Sequence, residues 1–414
     1  MENAKTPLLT IVIATKNREY YCIEAIKSIL SLKSNKIELA VSDNSDSDLI
    51  KIFVESLIDI RLKYVYNNSL TSSIGNFNRA LALATGEYVC VIGDDDGINP
   101  EIIDITNFAL CNNLDAISGS MCANYRWEGT DAPNTLFTKM TGSTLTIVPF
   151  NGKAEFIDIN SALYEFMNNG CTNYADYKLP RLYHGIVKRK ILEEIKDETG
   201  EYFKGLSPDI YSSLSISNKI NRYIFIDYPI TIPGVCGAST SITEGQKKIT
   251  SKKINDIPHL RYRGEYSWST YVPRFYCVQT IWADSGFAAL DEFKRYDLIK
   301  KFNRHSLYSK IILADLSLIK YLFKHIYDDC KSCDRNVIAE VFLTLIEYIK
   351  GYLSRNLFLR AKNRFLFIIG FKRLLILTEI NNMTNAMDAL SKLLKNRNIN
   401  FQNNLSDVLN IQIQ

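Results

Sequence analysis

Apolar and polar residues alternate in blocks over the first hundred positions. Four mainly apolar runs lie at 8–14, 37–41, 62–66 and 88–92; the second includes Glu38 and the third includes Lys63. The segments between these runs have the spacing of amphipathic helices, as in Cys22, Ala25, Ile26 and Ile29. A continuous apolar run predicts a strand buried on both faces, and strand–helix alternation predicts a parallel sheet with helices on both sides. The pattern therefore predicts an α/β fold with a mostly parallel, Rossmann-like sheet.

The same pattern divides the rest of the chain. Further strands are predicted at 181–187 and 223–226, with helices near 188–196 and from Pro208. A segment rich in Gly, Ser, Thr and Lys follows, and the spacing is helical from about residue 273 onward. We therefore expect an α/β domain at 1–232, a flexible loop at 233–272 and a helical region at 273–414.

Three consecutive carboxylates, Asp94, Asp95 and Asp96, directly follow the fourth apolar run. Like charges repel, and removing them from water costs free energy, so they either form a solvated turn or have a cationic partner. In parallel sheets, ligands bind beyond the carboxyl ends of the strands. Asp43, at the end of the second run, is therefore predicted to share one site with the acid triplet.

Composition narrows the class of protein. The chain is 46% hydrophobic and 23% charged, which is typical of a globular domain. The sequence contains neither GxGxxG nor GxxxxGK[ST], which weighs against a dinucleotide oxidoreductase and a P-loop protein. No apolar run approaches the roughly 20 residues of a spanning helix, and residues 1–7 do not resemble a signal peptide. Nine scattered cysteines fit a reducing compartment, so we expect a cytoplasmic protein.

Charge is distributed unevenly. Residues 286–414 contain 20 Lys or Arg and 12 Asp or Glu, a net charge of +8, whereas the remaining residues carry −4. Within this region, residues 350–373 hold seven basic residues and no acidic residue among many Leu, Phe and Ile. That composition favours peripheral contact with an anionic membrane; the alternative is helices packed on the first domain with a solvated basic face. No nucleic-acid-binding module accompanies the patch, so nucleic acid is not an expected partner.

Five motifs stand in a recognisable order. They are LTIVIATKNR at 9–18, VSDN at 41–44, GNFNRAL at 75–81, ATGEY at 84–88 and VIGDDD at 91–96. Together they resemble the family 2 glycosyltransferases of GT-A fold, over about residues 7–230. The resemblance implies inverting transfer of a sugar from a nucleotide-diphosphate donor with Mn²⁺ or Mg²⁺. A divalent cation stabilises charge on a diphosphate leaving group, and hard cations prefer carboxylate oxygens.

The resemblance implies roles for residues on the donor side. The nucleotide-diphosphate ligands are expected to be Thr15, Asn17, Arg18, Asp43, Asn78, Arg79, Asp94, Arg261 and Arg263. Gly93 stands where many relatives have a first acid, so Asp95 becomes the direct metal ligand. Asp96 and His259 are expected to complete the metal shell, although which of Asp94 and Asp96 assists Asp95 stays open. Asp43 has an alternative role in an Asx turn, and Arg79 as a solvated helix residue.

The resemblance also implies an acceptor side. Asp209 matches the position of a general base that takes the acceptor hydroxyl proton. Its alternative is a carboxylate stabilised by the N-terminal dipole of a helix, since it directly follows Pro208. His184 is expected on the acceptor side, against the alternative of a structural histidine.

These features predict a metal-dependent glycosyltransferase of the hexosyltransferase type in bacterial surface polysaccharide or O-antigen synthesis. Its acceptor is expected to be a glycan or a polyisoprenyl-linked glycan, reached at the inner face of the cytoplasmic membrane. One alternative is a sugar-1-phosphate nucleotidyltransferase, although its Gly-rich loop after the first strand is missing. Another is a non-catalytic sugar-nucleotide-binding protein, which the presence of Asp95 and Asp209 disfavours.

Overall fold

The structure is a computed structural model that describes residues 6–130, 142–237, 258–353, 374–397, 399 and 401–411. Its strands are β1 (Leu9–Thr15), β2 (Ile37–Asp43), β3 (Leu62–Tyr66), β4 (Tyr88–Ile92), β5 (Gly97–Ile98), β6 (Ala116–Gly119), β7 (Ala123–Arg126), β8 (Thr144–Ile147), β9 (Ala154–Phe156), β10 (Gly185–Lys188), β11 (Tyr223–Ile226), β12 (Thr231–Ile232), β13 (Gly234–Val235) and β14 (Leu375–Thr378).

The helices in the described ranges are α1 (Glu19–Leu30), α2 (Leu49–Glu55), α3 (Ser73–Ala82), α4 (Ile102–Cys111), α5 (Ile159–Asn168), α6 (Arg189–Thr199), α7 (Pro208–Ser217), α8 (Val278–Glu292), α9 (Tyr296–Ile299), α10 (Arg304–Ala314), α11 (Ile319–Ser332), α12 (Val337–Leu353), α13 (Met383–Arg397) and α14 (Phe401–Ile411). Short 3₁₀ turns lie at Tyr174–Tyr177, Pro258–Leu260 and Leu316–Leu318.

The central sheet has eight strands in the order β3-β2-β1-β4-β10-β6-β11-β9. The first four are parallel, as predicted. β10 is antiparallel to both β4 and β6, β11 is parallel to β6, and β9 is antiparallel to β11. The predicted α/β fold is confirmed, and its sheet is parallel in the first half and mixed in the second.

The register of the parallel strands brings three strand ends together. Thr15 pairs with Asp43 across β1 and β2, and Ile13 pairs with Ile92 across β1 and β4. Since the acid triplet begins two residues after Ile92, it lies at the same edge of the sheet as Thr15 and Asp43. The predicted meeting of these strand ends is therefore present in the fold.

Apolar side chains cover both faces of the sheet. Successive strand residues point to opposite faces, so Leu9, Ile11 and Ile13 of β1 enter one core and Val12 enters the other. All four side chains are fully buried. This two-sided burial explains why β1 is almost entirely apolar in sequence.

The C-terminal region is mainly helical, as predicted, and part of it packs on the first half of the chain. β14 pairs antiparallel with β8, with Leu375 opposite Ile147. Met383 and Leu390 of α13 are fully buried in the same core as Leu9 of β1. The strand at 375–378 thus shares a sheet with strands of the first half, across the predicted boundary at residue 273.

Two predicted segments lie largely outside the described residues. They are residues 354–373 of the basic segment and residues 238–257 of the predicted loop. The expected membrane contact and the gating function of the loop stay predictions. Every helix that the structure describes is too short or too polar to cross a lipid bilayer.

Candidate active site

The acid triplet forms a buried turn at the carboxyl end of β4. Asp94, Asp95 and Asp96 are 3%, 5% and 3% exposed, so they do not form a solvated acidic turn. The Thr15 hydroxyl, at the end of β1, donates a 2.6 Å hydrogen bond to Asp94 Oδ2. The backbone carbonyl of Asp95 accepts a 2.8 Å hydrogen bond from the Trp127 indole.

Arg18 is a cationic partner of the triplet. It directly precedes α1, and its guanidinium forms ion pairs of 2.7 Å with Asp94 Oδ1 and 2.6 Å with Asp95 Oδ2. Burial lowers the pKa of Arg18, but Asp94 and Asp95 raise it by more, so the group stays charged. The guanidinium also donates to the Cys236 thiol at 2.8 Å, directly after β13. Arg18, which we predicted to face the diphosphate, therefore supplies the positive charge that the acid triplet needs.

Asp96 has different partners from its neighbours. Its carboxylate accepts backbone N–H groups from Gly93 at 2.5 Å and from Gly234 at 2.6 Å. Burial, followed by repulsion from Asp95, raises the pKa of Asp96 above the ordinary carboxyl range. Burial and Asp95 also raise the pKa of Asp94, although Arg18 opposes the shift. Asp96 thus fastens the short strand β13 to the acid turn.

His184 lies behind this turn. Its Nε2 is 3.4 Å from Asp96 Oδ2, and its Nδ1 is 2.9 Å from the Thr231 hydroxyl. Burial, with a smaller effect from Arg181, lowers the pKa of His184 to about 3, so the ring is neutral near pH 7. In this arrangement His184 joins β12 to the acid turn, and its predicted acceptor contact stays a prediction.

The loops after β1 and β2 are tied together beside the triplet. Asp43 accepts hydrogen bonds from the Ser45 backbone N–H and the Tyr64 hydroxyl, both at 2.8 Å. The first bond is the Asx-turn arrangement that the sequence left open. Asn17 donates to Asp46 Oδ2 at 2.7 Å and accepts from the Asp46 N–H at 2.8 Å. These bonds hold the predicted nucleotide-side residues in one fixed rim.

Asn76 is a site residue that the sequence reasoning missed. Its buried amide donates to the carbonyls of Thr15 at 2.9 Å and Ser42 at 3.3 Å, and its Oδ1 accepts from the Ser42 hydroxyl at 2.7 Å. It therefore fixes α3 against the ends of β1 and β2. The signal available was its place in the GNFNRAL motif, from which we selected Asn78 and Arg79 instead.

Those two residues have other partners in the structure. The Asn78 amide donates to the Phe203 carbonyl and accepts from its N–H, both at 3.0 Å. Arg79 donates to the Thr71 hydroxyl at 3.3 Å, and its second terminal nitrogen is buried with no hydrogen-bond partner in the described part of the chain. Asn78 thus holds the segment that precedes α7, and the diphosphate roles of both residues stay predictions.

Asp209 lies in the first turn of α7, as predicted. The Ser207 hydroxyl donates to its Oδ1 at 3.0 Å, and burial raises the pKa of Asp209 above the ordinary value. A carboxylate whose pKa is raised toward neutrality becomes a stronger base. The local environment therefore suits proton abstraction.

Tyr183, a second residue that we did not predict, lies beside Gly93 at the start of the acid turn. Burial raises the pKa of Tyr183, and the charges of Asp96, Asp95 and Asp209 raise it further. Its ring also packs edge-on against His184, with centroids 4.6 Å apart. The charges of the triplet and of Asp209 thus act on the same buried tyrosine. The signal in the sequence was the YHGI segment, from which we selected only His184.

The predicted metal ligands are only partly assembled. Within the described ranges, no three or more His, Cys, Asp and Glu side chains form a group arranged to hold a metal ion. His259 packs near Tyr276, with ring centroids 5.8 Å apart, and does not join Asp95 and Asp96 in such a group. Burial lowers the pKa of His259 to about 4, and its buried Nδ1 has no hydrogen-bond partner among the residues that the structure describes. Carboxylate oxygens of Asp94 and Asp95 suit Mg²⁺ or Mn²⁺, but Arg18 engages both residues.

The two predicted phosphate-binding arginines lie beyond the acid turn. Arg261 is exposed. Arg263 donates to the Lys204 carbonyl and lies over the Tyr266 ring, 4.9 Å from its centroid. Arg263 also lines a separate cleft, together with residues of α3 and α8. Their expected contact with a diphosphate stays a prediction.

Comparison with known proteins gives the family of this site. Residues 10–163 match the model of glycosyl transferase family 2. This part of the chain is a family 2 glycosyltransferase domain. The matched segment of this glycosyltransferase domain contains Thr15, Arg18, Asp43 and the acid triplet. Asp209 comes after the last matched residue.

Relatives of the glycosyltransferase domain act in bacterial glycan synthesis. A Campylobacter jejuni GalNAc(5)-diNAcBac-PP-undecaprenol β-1,3-glucosyltransferase is 39% identical over 93 residues, which are 22% of this chain and 30% of that protein. The Escherichia coli UDP-Glc:α-D-GlcNAc-diphosphoundecaprenol β-1,3-glucosyltransferase WfaP is 29% identical over 89 residues, 22% of this chain and 36% of that protein. The matches thus span about a third of these relatives. The crystal structure of S. aureus TarS 1–349 with UDP-GlcNAc aligns over 83% of this chain and 89% of that one, with a TM-score of 0.45 and 17% identity.

Proposed function

We propose that this protein is an inverting glycosyltransferase that moves a sugar from a nucleotide-diphosphate donor to a polyisoprenyl-linked glycan in bacterial surface polysaccharide synthesis. The observation that carries the proposal is the buried acid triplet at the carboxyl end of β4, which Arg18 holds by two ion pairs within the segment that matches the family model. The Escherichia coli relative is named for a UDP-Glc donor, and both glucosyltransferase relatives are named for undecaprenol-linked acceptors, which supports the donor and acceptor classes. The proposed reaction uses the two sets of carboxylates for different tasks.

At the donor end, the residues of the first two loops are proposed to hold the nucleotide. Asp43 and the Asn17–Asp46 pair form the rim next to the strand ends. Asp95 and Asp94 would hold Mn²⁺ or Mg²⁺, which stabilises negative charge on the departing nucleotide diphosphate. Arg18 would then release these carboxylates and turn toward the diphosphate, because two cationic partners on one carboxylate pair repel each other.

At the acceptor end, Asp209 is the proposed general base. It takes the proton of the acceptor hydroxyl while that oxygen forms a bond to the anomeric carbon of the donor sugar. The bond from this carbon to the diphosphate oxygen breaks, and the electron pair leaves with the diphosphate. Attack from the face opposite the leaving group inverts the anomeric configuration.

Thermal unfolding with nucleotides tests the donor half of the proposal. UDP, GDP, CDP and dTDP are each added with and without Mn²⁺, and we expect one of them to stabilise the chain only when metal is present. A ligand at 100 times its Kd stabilises the native state by about 2.7 kcal/mol, which is a readable shift. Asp95→Asn should abolish the metal-dependent shift. No response to any nucleotide would contradict the proposal, and metal-independent stabilisation would contradict the metal assignment.

A further inference from the structure

A second cleft lies apart from the acid turn. It has a volume of about 640 Å³ and is bounded by the start of α3, residues 201–204, residues 263–271 and α8. Neither Asp43 nor Asp209 lines it, and nor does any residue of the triplet. Its volume falls within the roughly 300–1,000 Å³ of small-molecule sites. The cleft therefore has room for a ligand other than the one at the acid turn.

One wall of the cleft is a fixed aromatic platform. The Tyr271 ring stacks on the buried Phe287 ring, with centroids 5.0 Å apart and planes within 8°. Tyr271 is nevertheless 46% exposed, so its other side is accessible. The neighbouring Trp268 indole is held by a 3.1 Å hydrogen bond to the Val272 carbonyl. Rings already fixed in place lose little conformational entropy on binding, and their faces suit the C–H surfaces of a sugar.

The net negative charge of the residues that line the cleft disfavours the binding of anions. Two basic residues, Lys204 and Arg263, line the cleft. They are outnumbered by five acidic residues, which are Glu201, Glu265, Asp284, Asp291 and Glu292. Lys204 is already paired with Glu292 at 2.8 Å. Carboxylates accept hydrogen bonds from hydroxyl groups, and an excess of negative charge repels phosphates and uronic acids. This chemistry fits an uncharged sugar.

Hydrogen bonds connect the cleft wall to the proposed base. The Ser285 hydroxyl of α8 accepts the backbone N–H groups of Leu206 at 3.0 Å and Ser207 at 2.8 Å. Ser207 in turn donates to Asp209. Since Asp284, next to Ser285, lines the cleft, the wall and the start of α7 form one hydrogen-bonded unit. A glycan bound in the cleft would be positioned relative to Asp209.

From this geometry we propose that the cleft binds uncharged sugar residues of the acceptor glycan and discriminates against anionic sugars. The inference rests on the proposed function, because it places an acceptor chain beside the base. It adds a binding site formed by α3, α8 and residues 263–271, and it makes Tyr271 a specificity residue. The reacting hydroxyl and the sugar that carries it stay at Asp209.

Saturation-transfer NMR on the full chain tests the cleft without requiring the natural acceptor. The probes are three uncharged trisaccharides, of glucose, N-acetylglucosamine and galactose, and the anionic trigalacturonic acid. We expect signal from at least one uncharged probe and none from trigalacturonic acid. Tyr271→Ala should weaken the uncharged probe at least tenfold, whereas Tyr271→Phe, which keeps the stacked ring, should change it less than threefold. Tyr327→Ala, an exposed tyrosine of α11, is the control and should leave binding unchanged.

A charge variant gives a second readout that does not depend on the aromatic platform. Glu265 and Asp291 are exposed, so changing both to Lys should not disturb the core. We expect this double variant to bind trigalacturonic acid at least tenfold more tightly than the wild type. The inference is overturned if no uncharged probe binds, if Tyr271→Ala binds like the wild type, or if the double variant gains no affinity for the acid. The thermal shift caused by nucleotide with Mn²⁺ is measured in parallel. If this shift is absent while the uncharged probes still bind, the proposed function is refuted but sugar binding in the cleft is not.

Discussion

Asp94, Asp95 and Asp96 are adjacent in sequence but have different partners. Asp94 and Asp95 form ion pairs with Arg18, whereas Asp96 accepts two backbone N–H groups and lies near His184. Burial of three adjacent carboxyl groups is tolerated because each has a cation or hydrogen-bond donors and because the pKa values of Asp94 and Asp96 are raised, which lowers the charge they carry. Two acids are therefore paired with the Arg18 side chain, and the third is tied to the backbone.

Sequence reasoning at this scale located the residues but not their contacts. The triplet and Asp43 were placed at one sheet edge because parallel strand ends must meet there. The Arg18 ion pairs and the Asn76 hydrogen bonds depend on the paths of two loops, which apolar spacing does not encode. Tyr183 was missed because the YHGI segment does not show which of its side chains approaches the acid turn.

The proposed base gives a prediction with a pH signature. Asp209→Asn should lower the transfer rate by about 10²–10⁴-fold, since the amide cannot take the acceptor proton. Burial raises the pKa of Asp209, and a base acts when deprotonated. The wild-type rate should therefore rise with pH through a midpoint above the usual aspartate range, as a kcat/KM profile would measure.

A matched control separates catalysis from a helix-dipole effect. Asp297, in the first turn of α9, is an exposed carboxylate in a similar helical position. Asp297→Asn should leave the rate and the pH midpoint unchanged. If the Asp209→Asn variant transferred sugar at the wild-type rate and with an unaltered pH profile, Asp209 would not be the general base.

At the scale of elements, very short strands complete the site. β13 has two residues, yet it delivers the Gly234 N–H to Asp96 and leads into Cys236, which contacts Arg18. The first four long strands were predicted within two residues of their bounds. Two-residue strands carry no periodicity, and an apolar run does not specify strand direction, so neither β13 nor the reversed β10 could be predicted.

Gly234 provides the test at this scale. A Cβ at this position would overlap the Asp95 carbonyl oxygen, so Gly234→Ala must displace β13 from the acid turn. Loss of the hydrogen bond to buried Asp96 should destabilise the fold by about 1–3 kcal/mol and weaken the metal-dependent nucleotide shift. Urea unfolding and the thermal-shift assay measure the two effects.

Gly237 is the matched control for that variant. Among the described residues, an added Cβ there meets only the Gly129 carbonyl oxygen, at 3.5 Å, which is ordinary van der Waals contact. Gly237→Ala should keep both stability and the nucleotide shift. Equal behaviour of the two alanine variants would mean that β13 does not support the acid turn.

At the scale of the whole molecule, elements of the C-terminal region pack against strands of the first half of the chain. α13 buries Met383 and Leu390 in the core that contains β1, and β14 extends the small sheet of β7 and β8. Helical spacing indicated a helical region after residue 273, but spacing alone cannot tell which surface such a helix covers. That knowledge comes only from the packed structure.

Leu390→Ala measures how far the C-terminal region supports the glycosyltransferase domain. Removing a fully buried leucine should lower the free energy of unfolding by about 2–5 kcal/mol, as followed by urea unfolding. Asp388→Ala, on the exposed side of the same helix, should change it by less than about 0.5 kcal/mol. Similar values for both variants would mean that α13 is not part of the core.

The contact between Met383 and Gly97 has a consequence for biosynthesis. Met383 is packed so closely against Gly97, the residue after the acid turn, that a Cβ on Gly97 would overlap its sulfur. The ribosome makes Gly97 long before Met383, so the growing polypeptide cannot form this contact until α13 has been synthesised. Contacts so distant along the chain also slow folding. The residue that follows the acid turn therefore gains this packing partner only after every residue of the proposed donor site has been made.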